Sequence, residues 1–415
     1  MKTKATTTRP SRSEFATHWR LDPSITFLNH GSYGACPEVV IDAQNEIRAL
    51  MEREPVRFYM QHLERLSDVV RQRVGQFINA RPQDIAFAPN ATVAIATILN
   101  NIDFKPGDEI LVNTHEYMSA INELGRMEQR LGTRTVKALV PFPIQNEQQV
   151  IDAVMASVTP RTRLAIISHI TSPTAIILPV KKLTDLLHAK GVRVMIDGAH
   201  SPAQVPIDVA HLGADYYVAD FHKWVSSPKG SAFIHVQPGL QKGFRPICLS
   251  SRVHNVRDDR APFLAEFDYV GTSDYSPLLA VPAALDFFEK ALPGGIPALM
   301  KRNHDLVVKG RAAVCKATGL MPPAPDEMLP SMATILLPAA PAIYKNPPKG
   351  TPRSTFGDPL QDRLVEEHRI QVPVWALPDC GTRFTRISAQ LYNTIAEFEY
   401  FGQALKEELE REAGM

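Results

Sequence analysis

The stretch VMIDGAHSPAQVPIDVAHLGADYYVADFHKWVSSPKG, residues Val194 to Gly230, decides the fold. The apolar run from Val192 to Ile196 is typical of a buried strand, and Asp197 ends it. A second apolar run, Tyr216 to Ala219, leads into Asp220-Phe221-His222-Lys223. Because open α/β sheets bind ligands at the carboxyl ends of their parallel strands, we predict that Asp197 and Lys223 share one site.

The chemistry of these two side chains narrows the kind of site. A lysine amine can form a Schiff base with a carbonyl cofactor, and a carboxylate can pair with the ring nitrogen of a pyridine. A lone lysine is more often a surface charge, but here it follows a buried strand and stands beside His222. The pattern therefore favours a Schiff-base site.

Composition limits the other possibilities. The chain has 415 residues, 44% of them hydrophobic and 21% charged, which is enough for a large core and a smaller second domain. The net charge of +1 and the absence of blocks of like charge give no reason to expect a nucleic-acid or membrane partner.

Four cysteines, Cys36, Cys248, Cys315 and Cys380, are scattered without close pairs. This spacing predicts neither a metal site nor a disulfide framework, and it suits a reducing compartment. The first residues are polar and lack the apolar region of a secretory signal. We therefore expect a soluble, cytoplasmic protein.

Strand and helix patterns alternate along the chain, which predicts right-handed crossovers in a mostly parallel sheet. The predicted strands are 85–88, 108–114, 164–170, 192–197, 216–219, 230–236, 331–337 and 382–388, and the predicted helices are 38–54, 60–79, one beginning at 91, 180–190, 279–292 and 297–318. We predict a long irregular loop over 239–260. The expected domains are an N-terminal arm (1–24), a large domain (25–295) and a small C-terminal domain (296–415).

Several short blocks, in order along the chain, carry a family resemblance. They are Phe27 to Gly34 (FLNHGSYG), Ile196 to His200 (IDGAH), His222 to Trp224 (HKW), Gly271 to Asp274 (GTSD), and Arg386 to Gln390 (RISAQ) with Tyr392 to Thr394 (YNT). The chain resembles the aminotransferase class V family of fold-type I enzymes dependent on pyridoxal 5′-phosphate (PLP), and within it the isopenicillin N epimerase-like branch.

The resemblance implies a fold and an assembly. The expected fold class is α/β, a fold-type I PLP-dependent transferase. Its large PLP-binding domain would hold a mostly parallel seven-stranded sheet flanked by helices, and its smaller C-terminal domain would be α+β. The N-terminal segment is expected to pack on the small domain. The resemblance also implies an obligate homodimer with shared active sites.

The resemblance further implies roles for individual residues. Lys223 would form the Schiff base with PLP and move the Cα proton, and Asp197 would hold the proton on the pyridine nitrogen. His200 would bind the phenolic oxygen of the cofactor. Its phosphate would be held by the Ala91 N–H, Thr92, His222 and, from the neighbouring subunit, Thr272.

One position stays open. The family places a flat ring over the cofactor at the end of the strand that leads to His115-Glu116-Tyr117. Tyr117 matches by position, and His115 is the alternative because a shift of two residues keeps the same strand face. Asp220 departs from the family, whose members tend to have a neutral Ser or Asn there, and a carboxylate beside a phosphate is costly.

For the substrate, the resemblance implies an amino acid or an amino-acid conjugate. Asn29, His30 and Tyr33 would form pocket walls, and Arg386 would grip the α-carboxylate with two parallel hydrogen bonds. His169 and Ser172 would make second-line contacts.

The favoured reaction is epimerisation or racemisation at Cα through an external aldimine and a quinonoid. C–S cleavage of a cysteine conjugate by a lyase and transamination remain open, as does a binding module on this fold that has lost catalysis. A persulfide-forming desulfurase is not expected. Cysteine desulfurases of the family that this chain resembles carry a nucleophilic cysteine on a loop well before the carboxylate-binding arginine. Here no thiol lies between Cys315, which looks too far from Arg386, and Cys380, which looks too close.

Overall fold

The computed structural model describes residues 9–254, 257–345, 348, 350, 353–379 and 381–415. Its strands are β1 Thr26–Phe27, β2 Ile85–Ala88, β3 Glu109–Asn113, β4 Arg134–Ala138, β5 Thr162–Ser168, β6 Arg193–Asp197, β7 Tyr216–Asp220, β8 Ala232–Val236, β9 Met332–Leu336, β10 Ile370–Gln371, β11 Val374–Ala376 and β12 Arg383–Ser388. Among the described residues, no helix is both long and apolar enough to cross a bilayer.

The α-helices are α1 His30–Tyr33, α2 Glu38–Arg53, α3 Pro55–Arg57, α4 Leu63–Ile78, α5 Ala91–Asn100, α6 Met118–Leu131, α7 Glu147–Ala156, α8 Val180–His188, α9 Val209–Leu212, α10 Pro262–Asp268, α11 Ser276–Leu279, α12 Val281–Ala291, α13 Gly295–Thr318, α14 Ala342–Lys345, α15 Pro359–Glu366 and α16 Ile395–Ala413. A π-helical turn, Phe58–His62, precedes α4, and short 3₁₀ turns lie at Glu14–His18, Pro82–Asp84, Pro238–Leu240, Ser251–His254 and Asp326–Met328.

Seven strands form the central sheet in the order β2-β8-β7-β6-β5-β3-β4. The β7–β6, β6–β5, β5–β3 and β3–β4 pairs are parallel, and β8 runs antiparallel to both of its neighbours. The predicted mostly parallel seven-stranded sheet is confirmed. Because β6 and β7 are parallel neighbours, Asp197 and Asp220 end at the same edge of the sheet.

The period-two alternation of side chains along the strands builds a core on each face of the sheet. In β6, Val194 and Ile196 belong to one apolar cluster, and Met195 belongs to the other. Helix α8 packs into the first cluster and helices α5 and α6 into the second. With both faces covered, the polar residues that follow the strands are left at the edges.

The C-terminal part holds the antiparallel sheet β11-β12-β9 with α13 and α16 beside it. Strand β1 pairs in parallel with β10, with Thr26 opposite Ile370. The chain that follows the expected N-terminal arm therefore contacts the C-terminal part. This pairing fixes the chain just before the Asn29-to-Gly34 loop, which then reaches the carboxyl edge of the large sheet.

The loop predicted over 239–260 is interrupted only by short 3₁₀ turns, with residues 255 and 256 outside the described part, and α10 begins two residues after it. The predicted helix over 279–292 divides into α11 and α12 at Ala280, just before Pro282. Pro282 then stands in the first turn of α12, where a missing N–H costs nothing.

Candidate active site

A pocket opens at the carboxyl edge of the central sheet, and we call it the cofactor pocket. Its walls come from the ends of β5, β6 and β7, the N-terminal turns of α5 and α6, and the loop after β1. Its lining includes Ser32, Tyr33, Asn90, Ala91, Thr92, Tyr117, Ser119, Ser168, Ser172, Asp197, His200, Asp220, His222 and Lys223. Of the site residues predicted from the sequence, it therefore brings together Asp197, Lys223, His200, His222, Ala91, Thr92, Tyr117 and Tyr33.

Asp197 is a buried carboxylate whose hydrogen-bond donor is the backbone N–H of Ala199 at 2.9 Å. Burial raises the pKa of Asp197, although the Ala199 N–H and the charge of Lys223 oppose this effect. Within the described residues no cationic side chain forms an ion pair with it. A protonated pyridine nitrogen in the pocket would supply the missing positive charge.

Lys223 lies opposite a second carboxylate. Its Nζ is 3.0 Å from Oδ2 of Asp220, and Oδ1 of the same carboxylate accepts a hydrogen bond from the Ala91 N–H at 2.8 Å. Asp220 thus occupies the first N–H of α5, the position that the sequence analysis gave to the phosphate. At the next positions the Val93 N–H is capped by Asn90, and the hydroxyls of Thr92 and Ser119 lie 3.2 Å apart.

Two histidines on the pocket wall carry buried nitrogens without a hydrogen-bond partner among the described residues, Nε2 of His200 and Nδ1 of His222. Burial lowers the pKa of both rings, so we take them as neutral. The Trp224 indole N–H donates to Nδ1 of His200 at 3.4 Å, which puts the proton of His200 on Nε2. His200 can therefore donate to an acceptor in the pocket.

The loop after β1 packs against the backbone of His222 and Lys223. The Cβ of any larger residue at Gly34, where φ is +68°, would lie 2.1 Å from the backbone oxygen of His222. His30 is buried beside this contact, and its Nε2 lies 2.9 Å from the Lys223 backbone oxygen. Burial lowers the pKa of His30 to about 3, so a neutral ring donates this hydrogen bond.

Of the three residues expected on the substrate wall, Asn29, His30 and Tyr33, only Tyr33 lines the pocket. Tyr33 lines the pocket with most of its side chain exposed. His30 does not line it, because its ring is held behind the pocket by Tyr392 and the Lys223 carbonyl. Asn29 precedes α1 and accepts a hydrogen bond from Ser32 at 2.7 Å.

Of the two candidates for the stacking ring, the structure places only Tyr117 in the pocket. The Nζ of Lys223 lies 5.9 Å from the centre of the Tyr117 ring. His115 is buried elsewhere, with Nδ1 2.8 Å from the Thr174 hydroxyl and the ring against Phe142. The two residues were expected to share one face of a strand because they are two positions apart. However, β3 ends at Asn113, so neither residue lies in the strand and the alternation of faces does not apply to them.

Arg386 is a buried guanidinium that forms no ion pair within the described residues, although it is only 2% exposed. It donates to the Ser172 backbone oxygen and, at 3.3 Å, to the Ser32 hydroxyl, and both of these residues line the cofactor pocket. Its guanidinium carbon lies 5.0 Å from the centre of the Trp375 ring. Burial lowers the pKa of Arg386 to about 10, because the charged guanidinium is removed from water. A bound carboxylate would stabilise this charge.

Two further expected residues lie outside the pocket. Thr272 is exposed, and its hydroxyl lies 2.9 Å from that of Tyr269. His169 is buried behind the sheet edge, with Nδ1 2.9 Å from the Tyr217 hydroxyl, and does not line the pocket. Ser172, named together with His169, does line it.

Glu116 is a further residue beside the pocket that was not predicted from the sequence. Its side chain is buried, and its carboxylate accepts hydrogen bonds from the Ser168 backbone N–H at 2.8 Å, the Ser168 hydroxyl and the Asn113 amide. Burial and the nearby Asp197 raise the pKa of Glu116 to about 8. The only signal in the sequence was a charged residue at the end of a strand, which does not distinguish this position from a surface one.

The groups around this pocket fit pyridoxal 5′-phosphate. Asp197 offers a buried negative charge for the ring nitrogen, His200 a free N–H for the phenolic oxygen, and Lys223 an amine for the aldehyde. Thr92 and Ser119 offer hydroxyls beside the α5 N-terminus for the phosphate. Fold and site together define a lysine-dependent α/β enzyme that holds a pyridine cofactor at the edge of its sheet.

Comparison with known proteins identifies the family. The aminotransferase class-V profile matches residues 27–335, and the chain belongs to this family of PLP-dependent enzymes. It is 33% identical to isopenicillin N epimerase of Amycolatopsis lactamdurans over 93% of this chain and 96% of that protein. It is also 30% identical to an L-cysteine desulfhydrase of Arabidopsis thaliana over 95% of this chain and 89% of that protein.

Solved structures show the same fold. A C-DES mutant with glycine covalently linked to the PLP cofactor matches with a TM-score of 0.78 at 20% identity, covering 94% of this chain and 99% of that one. The protein is thus a PLP-dependent enzyme with the fold-type I architecture predicted from its sequence.

Proposed function

We propose that the protein is an epimerase or racemase that acts at the Cα of an amino acid or an amino-acid conjugate. The observation that carries this proposal is that Arg386, a buried guanidinium without an ion-pair partner among the described residues, bonds to Ser32 and Ser172, which line the pocket of Lys223. The guanidinium can hold a substrate by its carboxylate, and the Lys223 amine can move the proton of the neighbouring carbon. The similarity to isopenicillin N epimerase favours the outcome in which the proton returns to Cα.

Each residue then has a defined task. Arg386 binds the carboxylate with two hydrogen bonds, since its planar donors match the two oxygens. When bound, PLP withdraws electrons from Cα, and Asp197 keeps the ring nitrogen protonated by charge pairing. Lys223 takes the Cα proton from the face that it occupies, and inversion follows when a proton returns to the opposite face. Asp220 holds the amine in place at 3.0 Å in the absence of substrate.

We propose that His200, Tyr117, Thr92, Ala91 and His222 contact the cofactor as the family resemblance implies. All five line the pocket. Phosphate binding at the Ala91 N–H requires Asp220 to give up its hydrogen bond there, so Thr92 and Ser119 are better placed to donate in the conformation described.

We propose a homodimer in which Thr272 of one subunit reaches the pocket of the other. Thr272 lies on the surface outside its own pocket, and Tyr33, which is 76% exposed, stands at the pocket wall. We also propose the domain bounds 1–24, 25–295 and 296–415, because α13, which leads into the C-terminal part, begins at Gly295. A cytoplasmic location is supported by Cys36, Cys248 and Cys315, which are free thiols.

A second candidate function is C–S cleavage of a cysteine conjugate. It is favoured by the L-cysteine desulfhydrase similarity, and the same pocket would serve it, because loss of the Cα proton comes first in both reactions. Transamination, a third branch, would return the proton to the cofactor. Cys380, which entered the argument against a desulfurase, lies outside the described residues.

The test begins with the absorbance of purified protein supplied with PLP, before and after borohydride, in wild type and in a Lys223→Ala variant. We expect a visible band that borohydride abolishes and that the variant lacks. Candidate amino acids are then incubated in D₂O, and deuterium at Cα, the D/L ratio, pyruvate and keto acid are measured. Deuterium with inversion supports epimerisation, and pyruvate release without inversion would replace it by lyase activity. A wild type without the band would be a binding module on this fold.

A further inference from the structure

A second compartment adjoins the cofactor pocket, and we call it the side-chain compartment. Tyr117 and Ser172 line both spaces and mark the place where the two meet. The walls of the compartment are mostly apolar and include Met118, Ile121, Pro173, Trp375, Leu377 and Pro378. They come from the start of α6, the loop after β5, and β11 with the loop after it.

Arg386 fixes how a substrate would face this compartment. Its guanidinium bonds to Ser172, which is shared by both spaces, and lies 5.0 Å over the ring of Trp375. When Arg386 holds the carboxylate of an amino acid and the Cα lies near the amine of Lys223, the Cα is therefore next to the boundary between the two spaces. The side chain on the Cα can then enter the side-chain compartment.

The size of the compartment indicates the length of that substituent. Its volume is about 300 Å³. An apolar cavity of about 150 Å³ holds a benzene molecule, so this space accepts a group of about ten non-hydrogen atoms. The side chains of Lys137 and Asp379 also line it, and they form an ion pair with distances of 2.9 and 3.1 Å from Nζ to the two carboxylate oxygens.

We propose that the substrate is an α-amino acid or amino-acid conjugate whose side chain is long and largely apolar and fills this compartment. This inference rests on the proposed function, because it takes the carboxylate to bind Arg386. Cysteine, with a side chain of two heavy atoms, leaves the compartment filled with water.

The experiment uses the PLP-loaded protein and a series of straight-chain L-amino acids from alanine to 2-aminooctanoate. Dissociation constants are read from the change in visible absorbance, and turnover is not required. Each methylene that leaves water for an apolar site tightens binding about three- to fourfold. We therefore expect 2-aminooctanoate to bind at least about 100-fold more tightly than alanine, allowing for partial burial.

A pair of matched variants locates the effect. Met118→Trp fills the compartment, and Met321→Trp makes the same change at an exposed methionine outside it. We expect Met118→Trp to reduce the ratio of the alanine to the 2-aminooctanoate dissociation constant at least about tenfold, and Met321→Trp to keep the wild-type ratio. A flat series, or equal ratios in both variants, overturns the inference. Absence of the visible band in wild type would instead overturn the proposed function.

Discussion

Replacing Arg386 by methionine should weaken substrate binding without destabilising the protein. The guanidinium is buried without a counter-ion among the described residues, and its pKa is lowered to about 10. At about 1.4 kcal/mol per tenfold change in proton affinity, that depression corresponds to roughly 3 kcal/mol against the charged form. The cost is fully present at neutral pH, because both the folded and the unfolded protein carry the charge there.

Methionine removes this cost but also removes two hydrogen bonds, worth about 1 kcal/mol each. The free energy of unfolding of the substrate-free, PLP-loaded protein should therefore stay the same or rise by up to about 2 kcal/mol. Binding of a carboxylate ligand should fall by about 3 kcal/mol, or more than 100-fold, because two charge-assisted hydrogen bonds are lost.

Arg383 provides the matched control on the same strand. It is equally buried, but it is bonded to Asp358 at 2.7 and 2.8 Å and to Glu412 at 2.8 and 3.1 Å. Arg383→Met leaves Asp358 without its cation and Glu412 with Arg363 alone, so it should cost about 3–5 kcal/mol of stability. Urea unfolding at fixed PLP concentration compares the two variants, and alanine titration measures binding. If Arg386→Met were destabilised as much as Arg383→Met, the assignment of Arg386 as a counter-ion site for substrate would be wrong.

Three further predictions concern the surroundings of the site. Glu116→Gln keeps the oxygen that accepts from the Ser168 N–H and the Asn113 amide, can donate its own N–H to the Ser168 hydroxyl, and cannot ionise. Between pH 4.5 and about 8 the folded protein holds a proton on Glu116 that the unfolded chain releases. The free energy of unfolding of the wild type should therefore fall across that window relative to the variant, by at most about 1.4 kcal/mol per pH unit. Unfolding experiments at several pH values measure this difference. A constant difference would contradict the raised pKa. Asp220→Asn removes the carboxylate from the Ala91 N–H and should tighten PLP binding about tenfold in equilibrium dialysis; weaker binding would show that the carboxylate supports the cofactor. Gly34→Ala should destabilise the protein by at least about 2 kcal/mol more than Gly191→Ala, since both glycines have positive φ but only Gly34 has a backbone oxygen 2.1 Å from the added carbon; equal thermal shifts would contradict this.

Local sequence pattern predicted the scaffold of the site. The apolar runs before Asp197 and Asp220 became β6 and β7, and the helix predicted to begin at residue 91 became α5. These features depend on residues a few positions apart, through strand alternation and helix capping, and such effects can be read along the chain. The parallel pairing of the two strands followed from the length of the connection between them.

The state of each side chain was decided by contacts between distant segments. Arg383 and Arg386 look alike in the sequence, yet one meets Glu412 and the other meets the loop of Ser32, more than 350 positions away. Likewise, only packing shows that His30 supports Lys223 and that Glu116 is enclosed beside Ser168. The sequence determined which strands form and which residues end them, because those are short-range properties. Tertiary structure decided which charges are buried and which of them have an ion-pair partner, because desolvation depends on what the rest of the chain packs around them.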